Sequence, residues 1–110
     1  MTFAEIVQAQ LDAYNAQDID ALCQYYTEDV EIADLNEALN LKGIEGYRER
    51  HQGLFGTFPQ NKAQLLSRIV VGARVLDHER VYRKSESEPF EVVAIYSFRG
   101  DRIVRVDFLK

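Results

Sequence analysis

The chain reads as an α+β domain: a cone-shaped roll with three N-terminal helices packed on a curved, mostly antiparallel sheet. Two observations predict this. Apolar residues recur at helical spacing as far as Phe58, then alternate with period two from Ala63 onward, where β-branched residues are dense. No helical pattern returns between the late strands, so helices and strands are segregated rather than interleaved. At 110 residues the chain is one domain, spanning 1–110.

The first helix covers 3–15, with Phe3, Val7, Leu11 and Tyr14 on one stripe and Ile6 beside them. Thr2 caps it, and Glu5 stands where the other half of a capping box belongs. Gln10 is the one polar member of the stripe. A short second helix covers 18–26, opened by Asp18. The first strand is 29–34, and a loop follows to Gly43. The third helix runs over about 44–56 with Ile44, Tyr47, His51, Leu54/Phe55 and Phe58 inward, and Pro59 ends the segment. Strands are expected at about 64–76, 79–85, 90–99 and 102–109. Their turns fall at Asp77-His78, at Glu86 to Pro89 and at Gly100-Asp101.

Composition narrows the function. Apolar residues make up 46%, with 6 Phe and 6 Tyr, enough for a core and a lined cavity. A net charge of −5 argues against nucleic acid and anionic membrane as partners. No apolar run approaches the ~20 residues of a membrane span, and the N-terminus lacks the pattern of a signal peptide. Cys23 is the single cysteine, which excludes an internal disulfide and makes a cytoplasmic location the simplest inference. It reads as a small core residue. The two histidines lack the spacing of a metal site, and no cofactor is implied.

Asp34 is the most informative residue. Val30, Ile32 and Asp34 share one face of the first strand, so a carboxylate is in line with two inward apolar residues. It is either a general base with restricted access to water or a turn former into the next loop. Gln10, Asp34, His51 and Tyr96 all stand on inward faces and converge on one cavity. Tyr14, Phe55, Phe58, Val106 and Phe108 are expected as its apolar wall. Asp77-His78-Glu79 is expected in a hairpin turn. The outward positions Val71, Val93, Ile95, Ile103 and Leu109 are apolar for a solvated face, so a homodimer through the sheet is expected.

The hairpin Asn15-Ala16-Gln17-Asp18, the run Glu28-Asp29-Val30-Glu31-Ile32-Ala33-Asp34 and Gly43-Ile44-Glu45-Gly46-Tyr47-Arg48 resemble the NTF2-like superfamily over essentially the whole chain. Within it, the chain is most similar to SnoaL-like and steroid delta-isomerase-like proteins. The resemblance implies that Asp34 occupies the isomerase general-base position. Gln10 stands where those enzymes carry the oxyanion-hole tyrosine, Tyr96 where they carry a protonated aspartic acid, and His51 where they carry a pocket tyrosine. Leu35 replaces their frequent proline. The implied activity is an isomerase, or a related acid/base lyase or hydrolase. Its substrate would be a small, largely apolar carbonyl compound, polycyclic ones included, with His51 as acid or orienter and Tyr96 as donor. A binding module without chemistry, and an interaction protein working through its sheet, remain alternatives.

Overall fold

Thr2 and Glu5 form the expected capping box. Thr2 Oγ1 accepts from the Glu5 N–H at 3.1 Å, and a Glu5 carboxylate oxygen accepts from the Thr2 N–H at 2.7 Å. This starts helix α1 (Phe3–Ala16) in the computed structural model, which describes residues 1–110. Gln17 ends it in the left-handed conformation, and Asp18 caps α2 (Ile19–Cys23). Strands β1 (Tyr26–Asp34) and β2 (Leu39–Lys42) follow, then α3 (Ile44–Thr57). The remainder is a meander of β3 (Lys62–Val71), β4 (Arg74–Tyr82), β5 (Phe90–Arg99) and β6 (Arg102–Leu109).

The sheet order is β2-β1-β6-β5-β4-β3. All neighbours are antiparallel except β1 and β6, which run parallel. The three helices cover one face of this curved sheet. Val7 and Leu22 from the helices meet Val30, Val75, Ile103 and Val106 from the strands, all at most 2% exposed. Cys23 is buried in the same core, as expected of a small apolar residue. No helix is long and apolar enough to cross a membrane.

Three expectations about elements need correction. The segment between Asp34 and Gly43 is not only loop, because β2 pairs back onto β1 there. The β3–β4 turn lies at Gly72-Ala73, with Gly72 at φ 56°, and not at Asp77-His78. The apolar run Ile69-Val70-Val71 hid that turn, and the polar residues Asp77 to Glu79 imitated one. They lie in the middle of β4, with Asp77 and Glu79 buried on the inner face. Ile103 is fully buried rather than outward. A one-residue register shift separates the pairs Ser97–Arg105 and Phe98–Ile103, so Ile103 and Val106 both point inward despite opposite parity.

Asp77 sits opposite Arg68 in the β3–β4 ladder. The Arg68 guanidinium holds it in a two-pronged contact, Nε to Oδ1 at 2.7 Å and Nη2 to Oδ2 at 2.9 Å. The Asp77 side chain has no exposure to water. Breaking one side of such a pair leaves an uncompensated buried charge, at a cost of about 3–5 kcal/mol. Arg68→Met should therefore lower unfolding free energy by about that amount in urea denaturation. The double variant Arg68→Met/Asp77→Leu should recover most of the loss.

Candidate active site

The helices and the sheet enclose a cavity of about 290 Å³. Gln10, Leu11 and Tyr14 of α1 face it from one side, Tyr47, Arg50 and His51 of α3 from another. The sheet supplies Ile32 and Asp34 from β1, Glu79 and Val81 from β4, Val92 and Tyr96 from β5, and Val106 and Phe108 from β6. Gln10, Asp34, His51 and Tyr96 thus share one cavity, and Tyr14, Val106 and Phe108 are part of its wall. Phe55 and Phe58 are not. Phe55 is buried behind the wall, its ring edge-on to Tyr14 at 5.3 Å. Phe58 lies past the end of α3, where its carbonyl oxygen accepts from Gln17 Nε2 at 3.4 Å. Once α3 ends, helical spacing no longer dictates a side chain's direction.

The floor is a directed chain of hydrogen bonds. The Tyr26 hydroxyl donates to Gln10 Oε1 at 2.7 Å, and Gln10 Nε2 donates to the Tyr96 hydroxyl at 3.0 Å. The Tyr96 oxygen is engaged as an acceptor, so its own proton is left for another partner. Burial, reinforced by the nearby Glu79, raises the Tyr96 phenol well above the ordinary tyrosine range, which keeps that proton in place.

His51 Nδ1 lies 2.9 Å from the Tyr47 carbonyl oxygen. A carbonyl only accepts, so Nδ1 carries the proton and Nε2 is the unprotonated ring atom. Burial lowers the imidazole below its ordinary value, and Arg50 and Arg83 lower it further. His51 is therefore neutral at pH 7, and its polar partner is Tyr47 rather than Asp34.

Asp34 lies at the cavity edge with its side chain about half exposed. Its Oδ1 is shielded from water and has no hydrogen bond. The Lys110 ammonium stands 3.4 Å from that atom.

The sequence reading missed Glu79. It is 6% exposed, faces the cavity, and its Oε2 has no hydrogen-bond partner. Burial is the main reason its carboxyl rises to about 7; the Asp77 charge adds to the rise and Arg68 opposes it. The ladder puts Asp34 opposite Phe108, Phe108 opposite Ala94, and Ala94 opposite Asp77. Asp34 and Glu79 thus stand on strands three spacings apart; Tyr96, level with Val75 and Val106, and Glu79, level with Val92, lie to either side of the row that contains Asp34. The signal was available: with the turn at Gly72, Val75, Asp77, Glu79 and Val81 share one parity, the same pattern that singled out Asp34.

A SnoaL-like domain model matches residues 7–106. The chain belongs to the SnoaL-like domain family. An uncharacterised cystatin-fold protein from Novosphingobium aromaticivorans is 39% identical over 100% of this chain and 99% of that one, with a TM-score of 0.93. A Sinorhizobium meliloti protein provisionally described as a polyketide cyclase is 21% identical over 96% of this chain and 94% of that one, with a TM-score of 0.82. A Catenulispora acidiphila protein with a ketosteroid isomerase-like fold is 18% identical over 96% of this chain and 85% of that one, with a TM-score of 0.78. At these lower identities the likeness is one of fold. No curated protein matches the sequence. The resemblance read from the hairpin and strand motifs holds for both family and fold.

Glu79 ties stability to pH. Its folded carboxyl titrates near 7, whereas an unfolded one titrates near 4.5. Between those values the folded state keeps a proton that the unfolded state has lost, so stability falls as pH rises and levels off above about 7. Glu79→Gln removes this slope. The variant should match the parent near pH 4.5 and exceed it in unfolding free energy at pH 8, as measured by denaturation across that range.

Proposed function

We propose that this cavity carries out proton transfer on a small carbonyl compound, as an isomerase or a related acid/base lyase or hydrolase. One observation carries the reading: a phenol with a free proton stands on the cavity floor, and the same cavity holds two carboxyl side chains, Asp34 from β1 and Glu79 from β4. In the proposed reaction the Asp34 carboxylate takes a proton from the carbon next to the substrate carbonyl. The C–H electron pair moves into a new C=C bond, and the carbonyl π pair moves onto oxygen. The Tyr96 hydroxyl donates to that developing oxyanion. In a β,γ-unsaturated substrate that enolate is a dienolate; Glu79, in its acid form, gives a proton to the γ carbon, the oxygen pair re-forms the carbonyl, and the C=C bond is left between the α and β carbons. Asp34 then passes its proton out through the open mouth, and Glu79 regains one. His51, neutral and with Nε2 unprotonated, serves as an acceptor that orients a substrate hydroxyl, not as an acid.

The cavity volume is near the lower end of ligand pockets, about 300–1,000 Å³. This favours a mono- or bicyclic substrate over a four-ring steroid. A second reading, a ligand-binding module without chemistry, draws support from Lys110, which stands against Asp34 and competes for its charge.

Exchange of the α-hydrogens of cyclohexanone and 2-cyclohexen-1-one in D₂O, followed by proton NMR, separates the two readings. The parent should catalyse exchange. Asp34→Asn should slow it by about 10²–10⁴-fold and Tyr96→Phe by about 10²–10³-fold, with ligand binding little changed. Glu79→Gln should abolish the fall in rate expected above about pH 7. Binding without exchange in the parent would leave the binding-module reading in place.

We also propose that two copies pair through the outer sheet face, where Val71 and Leu109 are exposed and Val93 and Ile95 half-buried. Ile69 and Val70 add to the exposed apolar surface of β3. Sedimentation equilibrium at micromolar concentration should give twice the monomer mass, and Val71→Lys/Leu109→Lys should return it to the monomer value.

A further inference from the structure

Most arginines whose contacts are defined lie against a carboxylate. Arg48 meets Asp20, Arg68 meets Asp77, Arg80 meets Glu91, Arg99 meets Asp29, and Arg105 meets Glu31 and Asp107. Acidic residues outnumber basic ones by 18 to 13, so counter-ions are plentiful. Arg50 and Arg83, which both line the cavity, have none. Arg50 donates to the side-chain oxygen of Asn40 at 2.9 Å and to its backbone oxygen at 3.2 Å. Arg83 donates to Asn61 Oδ1 at 2.7 Å and lies 5.1 Å above the Phe90 ring.

These guanidinium groups are held in place without being neutralised. Asn61 has no exposure to water, and its amide nitrogen donates to the Tyr14 hydroxyl at 2.8 Å. Arg83 is thereby anchored through a buried amide to the cavity wall. Arg50 adjoins His51 on α3, and Arg83 reaches through Asn61 to Tyr14, whose ring stands 6.0 Å from that of His51, so both lie on the His51 side of the cavity. A guanidinium fixed by neutral partners keeps N–H donors for a planar anion.

Polarity is graded along the cavity. Arg50 and Arg83 stand at the mouth on the His51 side, Asp34 with Lys110 at its β1–β6 edge, apolar side chains line the middle, and Tyr96 with Gln10 forms the floor. Arg83 follows the end of β4, four residues beyond Glu79.

We propose that the cavity selects a ligand bearing an anionic group, which seats between Arg50 and Arg83 while the ligand's neutral end reaches Tyr96. The substrate class becomes a compact keto acid or its phosphonate or phosphate counterpart, instead of an apolar ketone. The anion preference stands on the arginines alone; the placement of a carbonyl at Tyr96 rests on the proposed proton transfer.

Titrations of the full chain followed by ¹H–¹⁵N NMR test this with 4-oxocyclohexane-1-carboxylate, its methyl ester and the matching phosphonate. The carboxylate should bind at least about ten-fold more tightly than the ester at low salt, with shifts at Arg83, His51 and Tyr96. Added salt should erode that preference. Arg50→Gln and Arg83→Gln should each shrink it, and the double variant should bring acid and ester to parity without weakening the ester. The phosphonate arm identifies which anion is favoured. Equal binding of acid and ester by the parent, no binding of either anion at millimolar concentration, or a preference that survives the double variant would overturn the proposal. Because charge discrimination is read from binding, it holds or fails independently of α-hydrogen exchange.

Discussion

The amide of Gln10 is the joint on which the interior depends. It is buried between two phenols on different strands, and its two ends are chemically opposite. A buried amide cannot turn to water, so both ends must be satisfied where they lie. The Tyr26 hydroxyl must donate to the oxygen, and the nitrogen must donate to Tyr96. One side chain of α1 thereby fixes the hydroxyl orientation of a strand residue 86 positions away. The same contact ties α1 to β1 and β5, the layers between which the cavity opens.

The concave face of the sheet shows how one environment gives different outcomes to similar groups. Asp77 and Glu79 are two residues apart on β4 and both buried. Asp77 has a guanidinium along both oxygens. Glu79 lacks one, and the neighbouring Asp77 charge makes ionisation harder still. Asp34, at the edge of the same face, keeps partial contact with water and a lysine nearby. Access to water and to a cation, more than the chemistry of the carboxyl itself, separates the three.

Much of this was legible in the sequence. The change of hydrophobic period near Ala63 identified the fold, and Thr2, Glu5 and Asp18 marked helix starts that the structure reproduces. Gln10, Asp34, His51 and Tyr96 were found together because each interrupts an apolar stripe. The failures have physical causes. Gly72 was overlooked within an apolar run, and the misplaced turn moved Asp77 and Glu79 out of the core. The inward direction of Ile103 depends on a register shift, which periodicity cannot reveal. Phe55 and Phe58 were assigned to the wall because helical spacing gives a direction but not a depth. Arg50 and Arg83 sit at the mouth through contacts with Asn40 and Asn61, which no sequence spacing encodes.

The parallel pairing of β1 with β6 has a consequence for how the molecule comes into being. β6 lies inside the sheet, between β1 and β5, and Tyr26 pairs with Ile103. While the chain is on a ribosome, the early segments are synthesised with their central neighbour still missing. β1 then presents an open hydrogen-bonding edge, and the helices have only part of a sheet to rest on. Ordering must wait for the last strand, so most of the loop-closure entropy falls on one late event. A nascent domain of this topology keeps that edge open until β6 has been made.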